Sequence, residues 1–235
     1  MLTGVNYMNK YKYLLFDVDG TLLDFDKAEQ QALKNTFQNH HILLTDELLQ
    51  RYETINKQLW KDFEKGLIDK KTVVYTRFVQ LFQEFHIHQD GIAFEDDYQK
   101  ALGEGYFLLP HAKEILETLY QKYPLYVVTN GVSKTQYSRL RGTHIDQYFQ
   151  DIFVSEDIGY QKPAKEYFDC CFHKIEDIKL DQTLIIGDSL SSDIQGGINA
   201  GIDTCWYNPQ HLKKPQDMNI TYEIHDLREL FQICN

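Results

Sequence analysis

Cysteine is scarce in this chain and poorly placed for cross-linking. The 235 residues hold four, Cys170, Cys171, Cys205 and Cys234, with no CxxC pair. That spacing is neither a disulfide framework nor a zinc pattern, so reduced thiols are the simplest reading. Long apolar runs are also missing. Nothing approaches the roughly 18 consecutive apolar residues of a membrane span, and Met1 to Lys12 contains no apolar core of signal-peptide length. A cytoplasmic protein is expected. Positive charge is short as well: 24 Lys and Arg stand against 35 Asp and Glu, a net charge of −11. Nucleic-acid polymers and anionic membranes need clustered cations to displace counterions, so neither is an expected partner. A small anionic substrate remains open, provided that a metal and a few local cations reverse the field inside one cleft. The histidines, among them His40, His41, His86, His88 and His173, follow no HExxH or Cys/His zinc pattern. No internal repeat or low-complexity segment is present.

What the chain does have is apolar material, 43% hydrophobic and 14% aromatic, enough for a sizeable core in one large domain or a domain carrying an insertion. Short apolar runs at 13–16, 125–128, 152–154, 184–186 and 204–207 read as strands. Helical patterns fall at about 111–122, 133–141, 164–174 and 193–200. This alternation predicts crossover units and an α/β parallel sheet covered on both faces. Residues 24–106 differ. They carry helical stripes such as Leu48, Tyr52, Ile55, Leu59, Phe63 and Val74, Phe78, Leu81, Phe85, with no convincing strand. The expected organisation is therefore a core of residues 1–23 and 107–235 with a helical cap, 24–106, inserted above it.

The most informative stretch is Asp17-Val18-Asp19-Gly20-Thr21, directly after the apolar run 13–16. In an open α/β sheet ligands bind beyond the carboxyl ends of the strands, and the strand period of two points residues 17 and 19 to the same side. Two carboxylates roughly 6–7 Å apart repel, and such a pair calls for a cation or a shared proton. A solvated Asp-Gly turn is the alternative. A calcium loop fails, because its fifth and sixth positions fall on Thr21 and Leu22.

Three further clusters follow strand-like runs. Thr129-Asn130-Gly131 offers a hydroxyl, an amide and open backbone N–H groups that suit an oxyanion. Lys162 sits in Gly159-Tyr160-Gln161-Lys162-Pro163. Two more acids, Asp188 and Asp193, lie in Gly187-Asp188-Ser189-Leu190-Ser191-Ser192-Asp193. Taken singly, these are a turn, a solvated lysine and a helix cap. Taken together they follow strands of one predicted sheet and can converge on one crevice.

The ordered set Asp17-Val18-Asp19-Gly20-Thr21-Leu22, Thr129-Asn130-Gly131, Lys162-Pro163 and Gly187-Asp188 with Asp193 resembles the four motifs of the haloacid dehalogenase (HAD) superfamily. Gly196-Gly197-Ile198-Asn199-Ala200-Gly201 followed by Thr204-Cys205-Trp206-Tyr207-Asn208 resembles its pyrimidine 5′-nucleotidase branch. The resemblance implies a Rossmann-like core with a helical cap and a phosphoryl-transfer site. Asp17 would be the nucleophile, forming an aspartyl-phosphate, and Asp19 the general acid and base. Thr129, Asn130 and Lys162 would bind phosphate. Mg²⁺ would be held by the Asp17 carboxylate, the Asp19 backbone carbonyl and Asp188, with Asp193 completing or orienting the shell.

The function implied is Mg²⁺-dependent hydrolysis of nucleoside 5′-monophosphates, pyrimidine nucleotides preferred. The rivals are a sugar-phosphate or small-metabolite phosphatase, a phosphomutase and a regulatory binding protein without turnover. Trp60, Arg77 and Phe78 are the cap residues expected to choose the substrate, an aromatic face stacking on a base and an arginine contacting polar oxygens. Packing is the competing role for Phe78, and a surface charge for Arg77. The expected partner is a small phosphate ester, acted on by a monomer or weak homo-oligomer.

Overall fold

A computed structural model describes residues 10–234. The expectation for Met1 to Lys12, and the first nine residues of the core segment, fall mostly outside that range. The chain forms β1 (Tyr13–Phe16), then four helices, α1 (Phe25–Asn39), α2 (Asp46–Glu64), α3 (Lys70–Glu84) and α4 (Gly91–Gly103). It continues through α5 (Ala112–Leu119), β2 (Leu125–Thr129), α6 (Ser133–Gly142), β3 (Phe149–Val154), α7 (Ser155–Ile158) and α8 (Lys165–Lys174). The remainder is β4 (Thr183–Gly187), α9 (Gln195–Ala200), β5 (Asp203–Tyr207), β6 (Tyr222–Ile224) and α10 (Leu230–Ile233).

The six strands are parallel and ordered β3-β2-β1-β4-β5-β6. The three central strands are apolar along their length because both faces are covered. Leu14, Phe16, Val127 and Leu184 face one layer with Leu116, Leu140 and Leu227, while Leu15, Val128 and Ile185 face the other with Phe168 and Cys171. β1 lies between β2 and β4, with Phe16 opposite both Val127 and Ile186. The strand order reverses there. The carboxyl ends of β1, β2 and β4 therefore open onto one crevice, the place where such sheets bind ligands.

The four helices between β1 and α5 bury a cluster of their own. Each opens on a side-chain cap: Asp24 accepts from Lys27 N, Thr45 from Leu48 N, Asp69 from Thr72 N and Asp90 from Ile92 N and Ala93 N. These caps satisfy backbone donors that a helix start leaves open. The stripes read from the sequence meet as an aromatic knot. Phe78 packs on Phe94 at 4.6 Å between ring centroids and stacks on Tyr52 at 5.1 Å, and Phe37 meets Phe94 edge-on at 4.9 Å. Phe78 is 0% exposed. The substrate contact expected of it is thus replaced by packing, since its ring has no free face.

Of the strands, β6 was not anticipated. Its three residues at the sheet edge are too short for an alternation to register. Phe78→Ala is expected to cost about 3–5 kcal/mol, the usual range for emptying a fully packed aromatic site. The drop in the urea midpoint measures it.

Candidate active site

β1 ends on Asp17, whose N–H donates to Ile186 O at 2.9 Å, so the sheet ladder itself fixes the first acid. The chain then turns at Gly20, whose φ of +83° lies in the left-handed region. A Cβ there would also stand 2.5 Å from Asp188 Oδ2, so only glycine lets the β1 turn approach the acid that follows β4. Thr21 Oγ1 donates to Asp188 Oδ1 at 3.2 Å and fixes that carboxylate.

The Lys162 ammonium, 1% exposed, is the hub. It donates to Asp17 Oδ1 at 2.7 Å, Asp193 Oδ1 at 2.6 Å and Val128 O at 2.7 Å. Its three protons thus go to the ends of β1, β2 and β4. Asn130 fixes it from behind: the Asn130 amide donates to Lys162 O and accepts from Lys162 N–H, both at 2.9 Å. Asn130 was expected among the phosphate ligands. Both ends of its amide meet the Lys162 backbone, so it positions the lysine, and it also lines the cavity described below. Thr129 Oγ1 accepts from Gly131 N–H at 3.1 Å and Gln136 Nε2 at 3.0 Å, keeping its own proton for another acceptor.

One carboxylate oxygen each from Asp17, Asp188 and Asp193 falls within 4.8 Å of the others. Three acids face one buried ammonium, and the imbalance shows in the titration of Asp17 and Asp188. Burial, then Asp193, pushes Asp17 well above the usual carboxylate range against the pull of Lys162. Burial, then Asp193, raises Asp188 to about 7. Burial works against the Lys162 charge, but Asp17 and Asp193 overcome it and hold the ammonium above its ordinary value. Hard oxygen donors with surplus negative charge fit Mg²⁺. Asp17 and Asp188 have an oxygen to give. Asp193 spends Oδ1 on Lys162 and accepts from Ser189 N–H at 3.1 Å through Oδ2, so it anchors the lysine and the Ser189 turn.

Asp19 turns its side chain elsewhere. Its Oδ1 accepts from Arg139 Nη1 and its Oδ2 from Gln136 Nε2 at 2.5 Å, both on α6. It is not in the three-acid group, which leaves its main chain, not its carboxylate, to serve a metal. The sequence reading missed both α6 residues. Their spacing of three on a helix that follows Thr129-Asn130-Gly131 was the available signal.

A cavity of about 230 Å³ lies between the four-helix unit and the sheet, with Asp17, Asp19, Thr129 and Asp188 in its floor and Trp60, Arg77, Asn56 and Leu102 in its roof. Trp60 thus lines the same space as the acids. Arg77 does too, but not as a free charge. It is 2% exposed, with Nε and Nη2 forked onto Glu95 at 2.7 and 2.6 Å and Nη1 on Asn56 Oδ1 at 2.8 Å. Its guanidinium also lies 4.7 Å from the Tyr98 ring centroid.

Further contacts join the helices to the sheet beside the cavity. Lys70 Nζ donates to Asn130 O, Gly131 O and Ser155 Oγ at 2.6, 2.7 and 2.6 Å, and Ser191 Oγ donates to Glu64 Oε2 at 2.8 Å. Neither Lys70 nor Glu64 is marked by any sequence pattern.

Residues 14–207 match the haloacid dehalogenase-like hydrolase family, a span that takes in every motif residue above. The chain is a HAD-like hydrolase. It is 47% identical to the HAD-hydrolase YfnB of Bacillus subtilis over 97% of both chains. It is 40% identical to the pyrimidine 5′-nucleotidase PynA of Streptococcus pneumoniae, over 94% of this chain and 93% of that one. It is 31% identical to the pyrimidine 5′-nucleotidase YjjG of Escherichia coli, over 95% and 98%. A crystal structure of YfnB bound to magnesium, which reveals interdomain movement, superposes with a TM-score of 0.90 over 96% of this chain and 99% of that one. The 2-haloacid dehalogenase of Pseudomonas syringae, at 23% identity and a TM-score of 0.70, shares the fold.

In this HAD-like hydrolase the Lys70 contact carries a pH signature. Burial lowers Lys70 from 10.5 to about 8, with Glu156 and Asp157 opposing and Lys162 adding to the shift. Between those values the unfolded chain binds the proton that the folded chain has lost, so Lys70 makes stability rise with pH across that window. Lys70→Met is expected to abolish this rise. The difference in urea unfolding free energy between the two proteins at pH 8 and at pH 10 measures it.

Proposed function

We propose that this protein is a Mg²⁺-dependent phosphatase of nucleoside 5′-monophosphates, with pyrimidine nucleotides its preferred class. The observation that carries the reading is the joint placement of Asp17, Asp19, Thr129 and Asp188 in the floor of a cavity that has Trp60 in its roof. At about 230 Å³ the space suits one small molecule, close to the lower end of the roughly 300–1,000 Å³ of ligand pockets, and not a polymer. The two relatives that share 40% and 31% of its residues bear the name pyrimidine 5′-nucleotidase and match nearly full length, which favours a nucleotide over a sugar phosphate.

The Asp17 carboxylate attacks phosphorus and displaces the ester oxygen, so that one difficult displacement becomes two easier ones. The Lys162 ammonium, its three protons on Asp17, Asp193 and Val128 O, keeps positive charge beside the reacting carboxylate, and the Thr129 hydroxyl donates to a phosphoryl oxygen as charge moves onto it. Asp19 gives its proton to the leaving oxygen and in the second half-reaction takes one from the attacking water. The Asp17 and Asp188 carboxylates and the Asp19 main-chain carbonyl would hold Mg²⁺, which would supply the positive charge that lets a phosphate dianion enter among acids. Trp60 offers a face for the base, and Arg77, fixed by Glu95 and Asn56, presents a rigid polar edge beside it.

Asp19 also separates reaction classes. A carbon–halogen bond has no alkoxide to protonate, whereas a phosphate ester does, so an acid at this position belongs with ester cleavage.

Inorganic phosphate release across a panel of nucleotides and sugar phosphates tests the reading. Turnover is expected to require Mg²⁺, to be strongest on pyrimidine monophosphates and to vanish in Asp17→Asn. A sugar-phosphate preference would replace the substrate and keep the mechanism. Activity retained by Asp17→Asn would refute the nucleophile.

A further inference from the structure

Gln136 and Arg139 stand three residues apart on α6, hence on one helix face, and both are buried, Arg139 at 0% exposure. Between them they hold both oxygens of Asp19. Gln136 Nε2 donates to Asp19 Oδ2 at 2.5 Å and to Thr129 Oγ1 at 3.0 Å, and Arg139 Nη1 donates to Asp19 Oδ1. Each keeps one buried polar atom without a partner, Gln136 Oε1 and Arg139 Nη2. Such atoms cost about 1–3 kcal/mol apiece. A group that only propped the fold would gain from losing them.

Two more observations bear on the pair. A Cβ at Gly131 would overlap Nε2, Cδ and Cγ of Gln136, so this glycine is the space into which the amide fits. Arg139 Nε donates to Gly105 O at 3.2 Å, where the four-helix unit returns to the sheet. On the same helix Thr135 Oγ1 donates to Gln99 Oε1 at 2.6 Å and Ser138 Oγ to Gly103 O at 2.8 Å.

We propose that Gln136 and Arg139 are positioning residues for Asp19, each holding one oxygen of its carboxyl group so that it stays aimed at the leaving oxygen, with Arg139 also tying it to the seated helices. The inference rests on the phosphatase reading. As a base, Asp19 is a carboxylate and accepts from Gln136 Nε2 and Arg139 Nη1.

The proton count closes over the cycle. Asp19 protonates the leaving oxygen as the Asp17–phosphorus bond forms and the ester bond breaks. Water then bonds to phosphorus, its proton returns to Asp19, and the Asp17–phosphorus bond breaks.

Gln136→Met removes both amide ends at similar length, and Gly131→Ala pushes the amide aside without touching an acid; thermal melting checks that each folds. With Mg²⁺ present, kcat/KM is measured for the natural chain and both variants on a series running from 4-nitrophenyl phosphate to alkyl phosphates, nucleoside and sugar monophosphates included. The ratio reports the first half-reaction, in which only a poor leaving group needs the Asp19 proton. Both variants are expected to lose about 10- to 100-fold on alkyl esters and no more than about threefold on the aryl ester, a steeper dependence on leaving-group basicity. Arg139→Lys should recover much of what Arg139→Met loses on the alkyl members. Equal losses on both ester classes, or none, would overturn the proposal. A natural chain active on sugar phosphates but not nucleotides would overturn the nucleotide reading alone, since the alkyl comparison still runs. A natural chain inactive on every ester would overturn both.

Discussion

The active site depends on one buried ammonium. Lys162 donates at once to Asp17 just after β1, to Val128 O in β2 and to Asp193 in the turn that follows β4. Taking a lysine out of water costs several kcal/mol, returned only when the geometry is good and every proton has a partner. Here every proton does. The arrangement also explains why Asn130 must spend its amide on the Lys162 main chain: a lysine with four side-chain torsions holds three acceptors only if its backbone is fixed first.

Lys162 does not balance the site. Asp17, Asp188 and Asp193 outnumber it, and the raised Asp17 and Asp188 record the uncompensated repulsion in a place that water does not screen. A cation relieves this, and the donors it would find are all hard oxygens. The acids are crowded by the sheet: Asp17 is set by the β1 ladder, Asp188 by the end of β4, and Gly20 permits their approach. Repulsion stored in this way favours binding of the metal with its phosphate, because the bound state removes a cost that the fold has already incurred.

Much of this was legible in the sequence, for a physical reason. Strands buried on both faces read as apolar runs, and in a parallel sheet every chemically useful side chain must follow the carboxyl end of such a run, so Asp17, Thr129 and Asp188 could be found by looking just past 13–16, 125–128 and 184–186. Two of the four capped helices, α2 and α3, were equally plain in their stripes. What the sequence hid were contacts between segments distant along the chain. Phe78 and Arg77 sit one residue apart on α3, yet one is enclosed by Phe94 and Tyr52 while the other borders the cavity, and only the packing of α2 and α4 decides which. Lys70 looks like any helix-start lysine until the fold brings Asn130, Gly131 and Ser155 to its ammonium. Asn130 itself shows the limit of motif reading, since an amide beside a phosphate site is as useful to the lysine as to the ligand.

The bonds between the four-helix unit and the sheet fall on or beside the residues to which the proposed chemistry is assigned. Lys70 grips the carbonyls of Asn130 and Gly131, the first of which fixes Lys162 and the second of which makes room for Gln136. Gln99, Gly103 and Gly105 bond to Thr135, Ser138 and Arg139 on α6. Gln99 Nε2 also donates to Glu95, which holds Arg77 in the roof of the cavity, so a continuous run of hydrogen bonds connects the roof to the helix that holds Asp19. Lifting the helices off the sheet must break these bonds and loosen Lys162 and Asp19 together. Exclusion of water and assembly of the acid–base group are therefore not separate events in this architecture, because the same contacts enforce both.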